Sequence, residues 1–324
     1  MKRRHFITFV GGAGAWWPLA ARAQQPAMPV IGFLSGRSMD PSILGAFHRG
    51  LAETGYVPGK NAAIEYRSTE GQINRMPAMA ADLVRRQVAV IAAAGTPAAL
   101  AAKAATSIIP IVFETAGDPI TLGLVTSLNR PGRNVTGVAQ LSSELVPKRL
   151  GLLHDLIPTA TIIGLLVNPN DPRAGTQARD VQEAAQGLGL QIHLLNASTE
   201  AEIDAAFAGL VQLGAGALIV GTSEFFSSRR EKIAALAAEY KVPAIYQYRE
   251  YVAVGGLLSY GASLTDSYRL AGNYCGQILK GEKAADLPVQ QAVRFELVIN
   301  LKTAKALGLS IPPGLLSIAD EVIE

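Results

Sequence analysis

The residues best placed to do chemistry stand at the ends of short apolar runs. Gly95-Thr96-Pro97-Ala98-Ala99 closes one run. Thr96 is a good N-cap there, and Pro97 suits the first helical position, where a missing N–H costs nothing. The free N–H groups and dipole of such a helix end attract an anion, and a ligand carboxylate is a natural occupant. The plainer alternative is a well-capped helix with no ligand. Glu114-Thr115-Ala116-Gly117-Asp118-Pro119 closes the next run with two carboxylates and a hydroxyl. Asp118 before a proline suits a turn or cap better than a ligand contact. Thr222-Ser223-Glu224-Phe225-Phe226-Ser227-Ser228 sets hydroxyls, a carboxylate and two rings together, and Tyr246, Tyr248 and Tyr251 follow. Such a mixture suits a small amphipathic ligand. At least one of Phe225 and Phe226 is expected in the core.

Catalytic signatures are missing from the sequence. His48, His154 and His193 are scattered over two helical stretches and a strand, without metal-ligand spacing. There is no G-x-S-x-G elbow. The stretch 55–60 looks superficially like a phosphate loop, but Thr54 and Asn61 stand where Gly and Ser or Thr belong. Neither a metal nor a cofactor is expected, and the chain is not read as an enzyme.

The elements that must position these residues alternate in type. Strands are expected at 30–34, 62–66, 88–93, 110–113 and 134–138, with helices at 41–55, 76–86 and 97–105 between them. The pattern then restarts. A helix at 145–156 leads to strands at 161–167, 191–195, 217–220 and 243–246, with helices at 173–188 and 229–240. Thr199 and Glu202 form a capping-box pattern opening another helix. Equivalent strands end in equivalent loops, so the chain reads as two similar doubly wound α/β lobes. Ligand-contacting loops belong at the carboxyl ends of such strands, and two facing ends make a cleft.

The first residues address the protein. Lys2-Arg3-Arg4 precedes a Gly- and Ala-rich apolar run ending in Ala21-Arg22-Ala23. A charged start, apolar middle and small-residue exit make a secretory signal peptide, here of twin-arginine type, over residues 1–23. The run is shorter than the roughly 20 residues a membrane span needs. The precursor's net charge of +3 becomes −1 when Lys2, Arg3, Arg4 and Arg22 leave with it. No charge excess remains to favour nucleic acid. The single cysteine, Cys275, excludes an intrachain disulfide. Some 300 remaining residues suit two domains.

Nine segments, in order, carry a resemblance. They include Val30-Ile31-Gly32-Phe33-Leu34-Ser35, Gly50 to Tyr56, Gly95-Thr96-Pro97, Gly117-Asp118-Pro119, Asn134-Val135-Thr136-Gly137, Lys148-Arg149-Leu150 and the stretch from Asn300 to Lys305. Together they resemble the ABC transporter substrate-binding family that includes tryptophan/tyrosine-type members. The resemblance implies a type I periplasmic binding fold, with two Rossmann-like lobes joined by three crossovers and hinged around a cleft. The lobes would be 28–141 with 262–289, and 142–261 with 290–324. It implies an exported, monomeric receptor that hands a small polar or aromatic, carboxylate-bearing ligand to inner-membrane permease subunits. A ligand-sensing subunit of a membrane signalling protein is the alternative, ahead of a secreted enzyme. Carried onto this chain, the ligand loops supply Ser35, Arg37, Ser38, Gly95, Thr96, Pro97, Thr115, Asp118, Asn168, Asn170, Thr222, Glu224, Phe225 and Tyr246. Arg133 departs from the family pattern, which expects Gly there.

Overall fold

A computed structural model describes residues 28–324. The signal peptide expected at 1–23 lies outside the described residues. The first sheet begins with β1 (Val30–Ser35), β2 (Ala63–Ser68), β3 (Val90–Ala94), β4 (Ile111–Thr115) and β5 (Val135–Ala139). The second begins with β6 (Ile162–Val167), β7 (Gln191–Asn196), β8 (Ala217–Val220), β9 (Ala244–Tyr246) and β10 (Leu258–Ala262). Within each set of five, the second strand lies at the edge, beside the first, and the third, fourth and fifth follow on the other side. All these pairings are parallel. The repeat expected from the sequence is therefore a repeat of topology. Interior strands such as β3 and β4 are buried along their whole length, as sheets covered on both faces require.

Helices α1 (Pro41–Glu53), α2 (Met76–Arg85) and α3 (Thr96–Ala105) cover the first sheet. In the second half run α4 (Val146–Leu156), α5 (Ala174–Leu188), α6 (Glu200–Gln212), α7 (Glu224–Ser227), α8 (Arg230–Glu239) and α9 (Arg249–Ala253). The capping box at Thr199 and Glu202 opens α6 as expected. Arg133 adopts φ +55°, so a left-handed turn is kept without glycine.

The chain passes between the sheets three times. It first leaves β5 for α4. It returns after β10 through α10 (Leu264–Leu279), which packs along α1. That packing is close: a Cβ on Gly50 would stand 1.8 Å from the Arg269 carbonyl oxygen, and one on Gly272 would stand 2.1 Å from that of Phe47. Then β11 (Gln290–Gln291) pairs with β5, and β12 (Phe295–Asn300) pairs antiparallel with β10. Helices α11 (Leu301–Ala306) and α12 (Pro313–Ser317) lead to β13 (Glu321–Ile323), which completes the second sheet beside β12. Buried Arg149 on α4 pins two crossings together, donating to the carbonyls of Ser142 and Tyr260, each at 2.8 Å. Burial without a counter-charge pulls its pKa down to about 10.

Candidate functional site

The carboxyl ends of both sheets meet, and their loops build one buried polar cluster. Arg37 leaves β1 in a turn fixed by Ser35, whose hydroxyl bonds both the Arg37 N–H and carbonyl at 3.0 Å. The Arg37 guanidinium donates to Glu114 on β4 and to the Tyr268 hydroxyl on α10, both at 2.9 Å. Its Nε lies 2.7 Å from Glu224, which opens α7 in the other lobe. The rings of Tyr248 and Tyr268 each stand 5.7 Å from the guanidinium carbon. One side chain thus ties both lobes together. Burial by itself would lower the pKa of Arg37, but Glu224, Tyr268 and Glu114 outweigh it and hold the group charged. Glu224 is only 5% exposed. Burial pushes its carboxyl above the ordinary range, against the pull of Arg37.

A second guanidinium completes the cluster. Arg173 forks onto Asp171 at 2.6 and 2.8 Å, and its stem packs across the cleft on Gly117. Tyr248 donates to Gln140 at 2.8 Å. Three buried atoms in this cluster lack hydrogen-bond partners: Glu114 Oε1, Arg173 Nη1 and Gln140 Nε2. A cavity of about 330 Å³ adjoins it. Ile73, Met76, Pro97 and Leu100 line one side, and Asn168, Asn170, Ser223, Glu224 and Phe225 the other. A smaller cavity of about 30 Å³ borders Arg37, Ser35, Ser38, Tyr248 and Tyr268. At the lips, Arg230 reaches Asp40 at 3.3 Å, and Arg229 donates to the Glu70 carbonyl at 2.8 Å. The lobes are closed on one another.

Most of the sequence-predicted positions converge here, and several change role. Thr96 is not the cap. Gly95 holds that position at φ +97°, and Thr96 is the first helical residue. Its hydroxyl pairs with that of Thr115 at 2.7 Å, and both are fully buried. The anion beside this helix start is the protein's own: a Cβ on Gly95 would stand 2.7 Å from Glu224 Oε1. Asp118 caps its own turn, accepting from Ile120 N–H at 2.9 Å and the Thr121 hydroxyl at 2.6 Å. Asn168 accepts from the Asn170 N–H at 3.0 Å while lining the larger cavity. Gln177 holds the Thr222 backbone from both sides and leaves the Thr222 hydroxyl unpartnered. Phe225 faces the cavity, and Phe226 is core.

Tyr246 borders neither cleft cavity, contrary to expectation. It is fully buried and stacks on Tyr251 with ring centroids 4.7 Å apart. Alternation along β9 turns Ile245 and Tyr246 into different core clusters, and the tyrosine two residues on clears the strand end. Tyr268 and Glu114 were not among the predicted contacts. Tyr268 sits inside a regular amphipathic helix, where nothing in the local sequence marks it; Glu114 closes a strand, which did offer a signal.

The sequence matches the family described as "ABC transporter substrate binding protein" over residues 27–323. A "Tyrosine-binding protein" of Clostridioides difficile (strain R20291) is 30% identical over 263 residues, covering 81% of this chain and 75% of the relative. A Streptococcus pneumonia structure described as an ABC domain in complex with L-Trp superposes with TM-score 0.79 at 29% identity, covering 90% of this chain and 100% of the other. A ligand-free, open structure of a substrate binding protein with adhesive properties from Clostridium difficile gives TM-score 0.65 at 26% identity, covering 91% and 99%. The chain belongs to the ABC transporter substrate-binding protein family, and its architecture is the expected pair of Rossmann-like lobes. Its better fit to the L-Trp complex than to the open structure agrees with the direct contacts between its lobes.

Proposed function

We propose that this chain is the exported receptor of an ABC importer, catching a small polar or aromatic, carboxylate-bearing solute between its lobes. The observation that carries the reading is the 330 Å³ cavity, walled by both lobes and adjoining buried, partner-less polar atoms. Its apolar walls suit a ring or chain. Arg173 Nη1 and Gln140 Nε2 are donors suited to a carboxylate. The lobes are taken as 28–141 with 262–289, and 142–261 with 290–324. Ligand touching both would stabilise the closed state, which the permease subunits recognise. The loops supply no nucleophile–base pair, and the reading is a binding protein without catalysis. Among the described residues no helix is long and apolar enough to cross a membrane. The leader at 1–23 directs export, with cleavage after Ala23.

One experiment tests location and binding together. Protein recovered from the periplasm of its own host should, in native mass spectrometry, have the mass of a chain starting at Gln24 plus a small ligand. A periplasmic chain still carrying residues 1–23 would remove the cleavage reading, and a chain found only in the cytoplasm would remove the export reading. A ligand-free mass, unchanged by adding tyrosine or tryptophan, would remove the receptor reading.

A further inference from the structure

Helix α8 opens on two arginines, Arg229 at its cap and Arg230 at its first residue. Cations at that end of a helix oppose its dipole, so the helix itself gains nothing from them. Their partners lie across the cleft. Arg230 pairs with Asp40 at 3.3 Å, a half-exposed pair of the kind that contributes little. Arg229 is held more firmly. Its Nη1 donates to the Glu70 carbonyl at 2.8 Å, and Glu200 of its own lobe holds the Nε at 3.1 Å. The turn that receives it is shaped to do so. Glu70 has φ +50° and Gly71 φ +86°, and left-handed backbone is uncommon for a glutamate. A Cβ on Gly71 would collide with Arg229 Nη1, so only glycine leaves room for the guanidinium. The Gly71 N–H ties the turn to the end of β1, donating to the Gly36 carbonyl at 2.8 Å.

The same guanidinium lies over the ring of Phe225, its carbon 5.0 Å from the centroid. Phe225 is one wall of the large cavity, and Ile73, three residues beyond Glu70, belongs to the opposite wall. Arg229 is not in the lining, so it joins the two walls from outside. We propose that Arg229 is a strap across the large cavity. It holds Phe225 to the 69–71 turn when the lobes close, and so sets how fast the cavity exchanges its contents with solvent. It is a positioning residue, acting through Phe225 and the turn. The inference rests on the receptor reading above for the role of the cavity, but the strap can be tested with no ligand at all.

A thiol in the cavity wall reports opening. Met76 lines the cavity and is 1% exposed, so Met76→Cys puts a sulfur where a reagent reaches it only when the walls part. Cys275 is the one natural cysteine and is fully buried, with its thiol pKa pushed up by that burial. It reports general unfolding instead. Iodoacetamide labelling of the purified Met76→Cys protein, followed by peptide mass spectrometry, reads both rates at once. Adding Arg229→Met should quicken the introduced thiol by about tenfold or more, as losing a charge-assisted hydrogen bond does. Cys275 should stay as slow as before. An unchanged rate at the introduced thiol overturns the strap. Equal quickening at Cys275 also overturns it, since the whole fold would then have loosened. If Arg229→Met does not melt cooperatively, Gly71→Ala is judged by the same two rates, because it pushes the guanidinium off the turn and keeps its charge. Neither result bears on the receptor reading, which the native mass decides.

Discussion

Glu224 is pulled in two directions. Desolvation favours its neutral form, and Arg37 favours its charged form. The net effect is a carboxyl that keeps its proton to higher pH in the folded protein than in the unfolded chain. The folded state therefore binds more protons over that interval, and stability falls as pH rises through the folded pKa. Arg37, Glu114, Asp171, Arg173, Tyr248 and Tyr268 all face this carboxyl and set the interval. Glu224→Gln should flatten this part of the pH dependence. Ligand-free variant should melt at or above wild type at neutral pH. Melting both proteins from acid to neutral pH checks this. A variant that melts well below wild type at neutral pH would mean that the Arg37 pair outweighs desolvation. At this scale the sequence was partly legible. Loop-end residues such as Arg37, Thr96 and Glu224 announce themselves by position. Tyr268 does not, because only the return of α10 to the first lobe brings it to Arg37.

Elements were the most legible level, since each long helix and buried strand carries its own periodicity. The short ones, β11 with two residues and α7 with four, offer no period to read. The start of α3 shows what one residue of error does. A threonine before a proline looks like a cap, yet glycine takes the cap position and frees the threonine hydroxyl to bind sideways. Thr96→Val should therefore cost about 1 kcal/mol by breaking the bond to Thr115, not by uncapping the helix. Adding Thr115→Val should cost less than a second independent loss, because the pair has already been broken. Denaturant melts of the two single variants and the double variant measure this. Additive losses would show that the two hydroxyls serve separate partners. Ligand affinity should change little in any of the three.

For the whole molecule, the order in which the lobes are completed follows from where α10 and β11 sit. Both belong beside elements made much earlier, α1 and β5. During translation, the first sheet cannot be finished until residue 291 of 324 has left the ribosome. Until then the face of α1 that receives α10 is bare, with Gly50 and Thr54 uncovered. The nascent protein is thus a single folding commitment. A chain stopped after residue 262 should be recovered as aggregate. One stopped after residue 319, lacking only β13, should stay soluble and melt lower. Centrifugation and thermal melting compare them. A soluble, cooperatively folded 1–262 fragment would show that the early half needs no late partner. Otherwise a ribosome that falls off in the last third of the message makes no usable lobe at all, and functional binding protein comes only from complete chains.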